Sequence, residues 1–172
     1  MTIYIHILLH FCFKQLSKIK KIKYIYFKMA KAWGMPTWVF LHTLLAKIPD
    51  NQYVPVDVLN QVKSICSVLP CPDCAAHATA YMAKIDPKHV QTKEEFKRIL
   101  WGFHNFVNKR TNKPIVPIES IRIYDTLSFS FIYAVFLREF TKPQNIPKLF
   151  IESMVRTRVM NQFKSWISSI RF

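Results

Sequence analysis

Apolar positions recur with helical spacing along most of this chain. Trp38, Leu41, Leu45 and Ile48 fall near a 3.6-residue period after Ala32, with Pro36 suited to a first turn and Pro49 to a stop, which predicts helix one. Pro55 opens a second amphipathic stretch whose stripe is Val58, Val62, Ile65 and Leu69, and Pro70 closes it. A third helix is predicted from Cys71-Pro72-Asp73-Cys74 through Ala75, Ala78, Tyr81 and Met82 to about Ile85; its alanines favour helix and allow close approach. Thr92 and Glu95 make a capping-box pattern ahead of Phe96, Ile99, Leu100, Phe103 and Val107, so a fourth helix should run to near Thr111, before Pro114. A short fifth segment over 118–124 closes the core. Residues 126–140 and 147–171 read as two further helices, the first strongly apolar and the second mixed. The predicted fold class is all-α: a four-helix bundle plus a short fifth helix, with a C-terminal helical extension.

Composition narrows the chemistry. The 172 residues suffice for one ordinary domain with tails, and 2 Gly against 10 Pro leave glycine-rich phosphate loops little to build on; no GxGxxG or GxxxxGK[ST] occurs. The formal net charge of +15 suits a polyanion or a membrane surface, but lysines 14, 18, 20, 21, 23, 28 and 31 precede the first acidic residue, Asp50. Much of the excess therefore belongs to one end. The chain divides into a basic and apolar extension over 1–31, a central domain over 32–124 and a helical extension over 125–172. In the first, the apolar run 3–13 is too short to span a bilayer, and two readings stay open: a membrane-surface anchor, or a protein that starts at Met29. The run 127–137 is also short, so packing on the core or in a dimer interface is expected over membrane insertion. Arg156, Arg158, Lys164 and Arg171 motivate a separate reading as a basic nucleic-acid or membrane binder, although charged faces are usually just solvated.

Of the four cysteines, at 12, 66, 71 and 74, the last two have a spacing that suggests joint chemistry, and this is no secreted disulfide scaffold. Pro72 at a first helical position would put Cys71 at the N-cap, where free N–H groups and the helix dipole stabilise a thiolate, the species that attacks disulfides. Cys74 falls one turn further in and faces the bundle. Two readings compete: a redox dithiol, and a zinc half-site completed by His77 and His89. The lack of a second closely spaced cysteine pair weighs against zinc. Thioredoxin-like chemistry would also use this spacing, but local order weighs against that fold, since Cys71 follows a helix rather than a strand. Cys66 reads as a buried thiol.

Trp101, His104, Asn105 and Asn108 lie at offsets of three, four and seven and share one face of helix four. A planar heteroaromatic ligand would suit them, since Trp and His stack on rings and Asn both donates and accepts; solvated polar residues around a core Trp are the plainer reading. Gly34, Trp38 and His42, spaced by fours, repeat the arrangement on helix one, with Gly34 allowing close approach.

Taken together, Trp33-Gly34-Met35-Pro36-Thr37-Trp38-Val39-Phe40-Leu41-His42-Thr43, then Cys71-Pro72-Asp73-Cys74, then His104-Asn105-Phe106-Val107-Asn108-Lys109-Arg110 resembles the Erv/ALR sulfhydryl oxidases in order and interval, most of all the short forms of large DNA viruses. The resemblance covers roughly residues 32–124. It implies an FAD-binding thiol oxidase that forms disulfides in protein substrates with oxygen as acceptor, commonly as a homodimer. Cys74 would be the flavin-proximal cysteine and Cys71 the one exchanging with substrate. Gly34, Trp38, His42, His104, Asn105, Asn108 and Lys113 would contact FAD, the last at its phosphates, with Trp101 and Tyr124 beside them. The chain departs from the family at Lys47 and Ile48, where aromatic residues are frequent near the adenine, at Thr111, where Leu is frequent, and at Tyr124, an approximate substitute for a Trp. It also lacks a second C-x-x-C, and Cys12 could shuttle electrons only if residues 1–28 are present. Electrons are thus expected to reach Cys71 from protein dithiols through a small separate redox protein, in the host cytoplasm or the virion, without nucleic acid.

Overall fold

A computed structural model of the chain describes residues 32–142 and 150–172. The expectations for 1–31, including Cys12, and for a helix start at 147 lie outside these residues. The chain divides into two units, Met1–Gly34 and Met35–Phe172. Among the described residues the regular structure is entirely helical: α1 Gly34–Lys47, α2 Pro55–Ser67, α3 Pro72–Met82, α4 Lys93–Arg110, α5 Phe129–Phe140 and α6 Phe150–Ser168. A 3₁₀ segment, Ile118–Thr126, joins α4 to α5.

Each boundary has a local cause. Pro55 sits at the start of α2 and Pro72 at the start of α3, where a missing N–H costs nothing. α4 carries the full reciprocal capping box: the Glu95 amide donates to Thr92 Oγ1 at 3.2 Å and the Thr92 amide to Glu95 Oε2 at 2.8 Å. Its other end is a Schellman turn around Asn112, which takes φ 54°. Lys113 N–H donates to Asn108 O at 2.8 Å and Asn112 N–H to Lys109 O at 3.3 Å.

Three expectations shift. α2 stops at Ser67, short of Leu69 and Pro70, because a residue before proline is pushed out of helical geometry. α3 stops at Met82, and Ile85 N–H turns back to Met82 O. The fifth segment is 3₁₀ rather than α and extends to Thr126, so α5 begins at Phe129.

The core is continuous from the bundle into the C-terminal helices. Leu41, Leu44, Leu45, Val58, Val62, Ile65, Phe96 and Leu100 are fully buried or nearly so, and Phe136, Phe140, Met160 and Phe163 join the same cluster. Phe40 of α1 stacks on Phe136 of α5 at 4.1 Å between centroids and meets Phe163 of α6 edge-on at 5.7 Å. The apolar face of α5 is thus used for packing. Among the described residues no single helix is long and apolar enough to cross a membrane.

Candidate functional site

The turn between α2 and α3 sets out the two cysteines. Cys71 is extended, with φ −120° and ψ 113°, and caps α3; its Sγ accepts the Cys74 N–H at 3.3 Å. Cys71 and Cys74 form a disulfide, their Cα atoms 5.1 Å apart. Both are half-buried. Their place on the first turn sets Cys71 at the amides and positive dipole end of α3, the Cys74 N–H among them, which favour a thiolate once the bond opens. The turn ahead of them is held from a distance. Arg156, 4% exposed, donates from Nε to Val68 O at 2.9 Å. Cys66, by contrast, is a free thiol sealed in the core, and burial pushes its pKa up to about 12.

α1, α4 and the 3₁₀ segment bring a set of rings together. Trp38 stacks on His104 at 4.1 Å with 6° between planes, and His42 stacks on Tyr124 at 4.6 Å with 7°. The two imidazoles join the stacks, His42 Nε2 lying 3.2 Å from His104 Nδ1, so that one donates and the other accepts. Phe103 closes on Trp38 edge-on at 5.1 Å. Burial, then the neighbouring His104, lowers the pKa of His42 to about 3; burial, then the charge of Lys113, lowers that of His104 to about 4. Both imidazoles are therefore neutral at pH 7. Burial also raises the Tyr124 pKa. The Schellman turn is what fixes the backbone of Lys113 at the end of α4, close enough for its ammonium to be felt at His104.

The polar stripe of α4 divides its contacts. His104 belongs to the ring set, whereas Trp101 and Asn105 turn to the segment after α4. Trp101 Nε1 donates to Val116 O at 2.8 Å; Asn105 Nδ2 donates to the same oxygen at 2.9 Å while its Oδ1 accepts the Val116 N–H at 2.9 Å. Asn108, also buried, donates to Asn105 Oδ1 at 3.4 Å. The role of Val116 was not foreseen; a backbone partner in an irregular segment leaves no periodic trace. Lys47, noted above as a departure, also finds a task, since its ammonium donates to Asp125 O at 2.6 Å and so ties the end of α1 to the residue after Tyr124. Lys97 lies 3.6 Å from the Asp125 carboxylate and reinforces that tie. Gly34 is the first residue of α1.

The zinc alternative gains no further ligand. His77 is exposed with its Nδ1 against Asp73 O, and among the described residues no three of His, Cys, Asp and Glu converge as a metal set.

Comparison with known proteins bears on the same residues. The rice "FAD-linked sulfhydryl oxidase ERV1" is 32% identical over 90 residues, 51% of this chain and 46% of the relative. A "Putative FAD-linked sulfhydryl oxidase 096R" of Invertebrate iridescent virus 3 is 31% identical over 94 residues, 53% of this chain and 64% of the relative. An African swine fever virus "FAD-linked sulfhydryl oxidase", isolate Pig/Kenya/KEN-50/1950, is 33% identical over 86 residues, 49% of this chain and 71% of the relative. The chain thus spans less than two-thirds of the length of the rice and iridescent-virus proteins. No solved structure matches it. The model of the Erv1 / Alr family matches residues 35–126, more than half of the chain and the stretch that holds both the disulfide and the ring set, and the chain belongs to that family.

Proposed function

We propose that the chain is an FAD-dependent thiol oxidase that forms disulfide bonds in protein substrates, with Cys71 and Cys74 as its redox pair. The observation that carries this reading is the Cys71–Cys74 disulfide seated on the first turn of α3. A substrate thiolate attacks Cys71 Sγ, the Cys71–Cys74 bond breaks, and Cys74 leaves as a thiolate. A second substrate thiolate then attacks the substrate sulfur of the mixed disulfide, and Cys71 leaves as a thiolate in turn. The substrate loses two electrons and the pair gains two. The amides at the start of α3, the Cys74 N–H among them, stabilise Cys71 as attacked sulfur and later as leaving group.

The ring set fits FAD by the chemistry of its donors. Trp38, His42, His104 and Tyr124 offer flat faces, and the neutral imidazoles together with the Asn108 amide both donate and accept, as a polar aromatic ring system requires. Lys113 would meet the phosphates and Gly34 would permit close approach. Trp101 and Asn105 would serve the cofactor by holding Val116. Bound FAD supplies a two-electron acceptor that returns the cysteines to the disulfide and passes the electrons to dioxygen, giving hydrogen peroxide. The reading extends to protein dithiols delivered by a small separate redox protein, to a homodimer, and to the host cytoplasm or virion as the place of action.

Purified protein should be yellow and consume oxygen when given a dithiol, and Cys74→Ser should abolish turnover while the flavin stays bound. Colourless protein containing stoichiometric zinc would overturn the proposal.

A further inference from the structure

Beyond the disulfide, α3 and α4 leave a groove of about 510 Å³ on the face away from the ring set, a size suited to a bulky side chain and its neighbours. Tyr81 and Phe106 stand over it with centroids 5.2 Å apart, and Ile99 lines it from α4. Phe106 is 48% exposed, although it sits within α4 beside the buried Asn105. Gly102 lines the groove beside them. A Cβ built there would meet only the Tyr81 hydroxyl at 3.8 Å, so no packing within the described residues demands a glycine, and one in mid-helix costs about 1 kcal/mol relative to alanine.

The groove carries one charged group, Lys84, beside the His77 and His89 rings, and no carboxylate lines it. Lys84 forms no ion pair among the described residues, and the nearby Asp86 carboxylate is turned to the Lys88 amide at 2.8 Å. His77 is one helical turn past Cys74, so the groove begins beside the redox pair and follows α3 away from it.

We infer that this groove docks the dithiol substrate, and that its occupant is an extended segment carrying an aromatic or large aliphatic anchor flanked by Asp or Glu. Resting on the thiol-oxidase reading, this assigns the substrate's chemistry. The anchor's spacing follows from helix geometry. Tyr81 is ten residues after Cys71, about 15 Å along α3 at 1.5 Å per residue. An extended chain covers that in about four or five residues. The substrate's reactive cysteine should therefore lie about four or five residues from its anchor.

The test uses reduced two-cysteine peptides and follows the loss of the Cys71–Cys74 disulfide in the full chain by thiol labelling. One peptide carries Phe-Glu-Glu five residues from its first cysteine; a second has the same residues immediately beside that cysteine; a third replaces the carboxylates with lysines. The first should react about tenfold faster than the others, equivalent to about 1.4 kcal/mol of added binding. Lys84→Glu should remove most of that advantage and restore it for the lysine peptide, while Gly102→Leu, which fills the groove, should abolish the preference. Reduction by dithiothreitol should be unchanged in both variants. Equal rates for the three peptides, or a preference indifferent to Lys84→Glu, overturns the docking proposal. So does a homodimer that Lys84→Glu dissociates, since a second copy then owns the groove. Protein whose disulfide resists dithiothreitol and every peptide alike instead removes the thiol-oxidase reading on which the proposal stands.

Discussion

His42 and His104 are held neutral by burial, and this ties stability to pH in a fixed direction. Their pKa values, about 3 and about 4 in the folded chain, lie below the roughly 6.5 of an unfolded histidine, so the unfolded chain takes up protons first. Their contribution is complete above about pH 6.5 and fades as pH falls, toward about 4 for His104 and about 3 for His42, by at most about 1.4 kcal/mol per pH unit for each imidazole. Urea midpoints at pH 7 and pH 5 should show the loss, and His104→Gln should reduce the slope; an unchanged slope would count against the neutral pair. Asn105 gives a second prediction at this scale. It satisfies both backbone groups of Val116, so Asn105→Ala should cost about 1–3 kcal/mol in chemical denaturation. Trp38, His42 and His104 were legible as partners because spacing by fours placed the first two on one face and the polar stripe marked the third. Val116 and the tie from Lys47 to Asp125 were not, since a long-range bond to a loop carbonyl depends on where the loop folds back rather than on residue pattern.

At the scale of helices, the ends carry the information. The capping box at Thr92 and Glu95 and the capping role of Cys71 were readable because each is a short pattern with one local geometry. Thr92→Ala should lower stability by about 1 kcal/mol, measured by thermal or urea unfolding, with the α4 ring contacts kept. The Schellman turn at Asn112 was less visible. A Thr-Asn-Lys-Pro sequence allows several endings, and only the folded position of Lys113, whose charge is felt at His104, shows what this one accomplishes. The 3₁₀ character of Ile118–Thr126 was hidden for a related reason, since its apolar spacing suits either helix type.

For the molecule as a whole, the family stretch does not enclose its own core. Phe40, inside the residues matched to the family, is packed by Phe136 and Phe163, outside them. Phe136→Ala should therefore cost about 3–5 kcal/mol by equilibrium unfolding even though the residue touches none of the site's rings. If that variant unfolds like the parent, α5 is an accessory rather than part of the core. The bond from Arg156 to Val68 extends the point into time. Its partners are 88 positions apart, and chains emerge from the ribosome N-terminus first, so the turn before Cys71 gains this restraint only after Arg156 has been synthesised. The nascent chain consequently passes through an interval in which the cysteine pair exists without that tether, open to pairing by the cell's own thiol chemistry before its mature setting is complete.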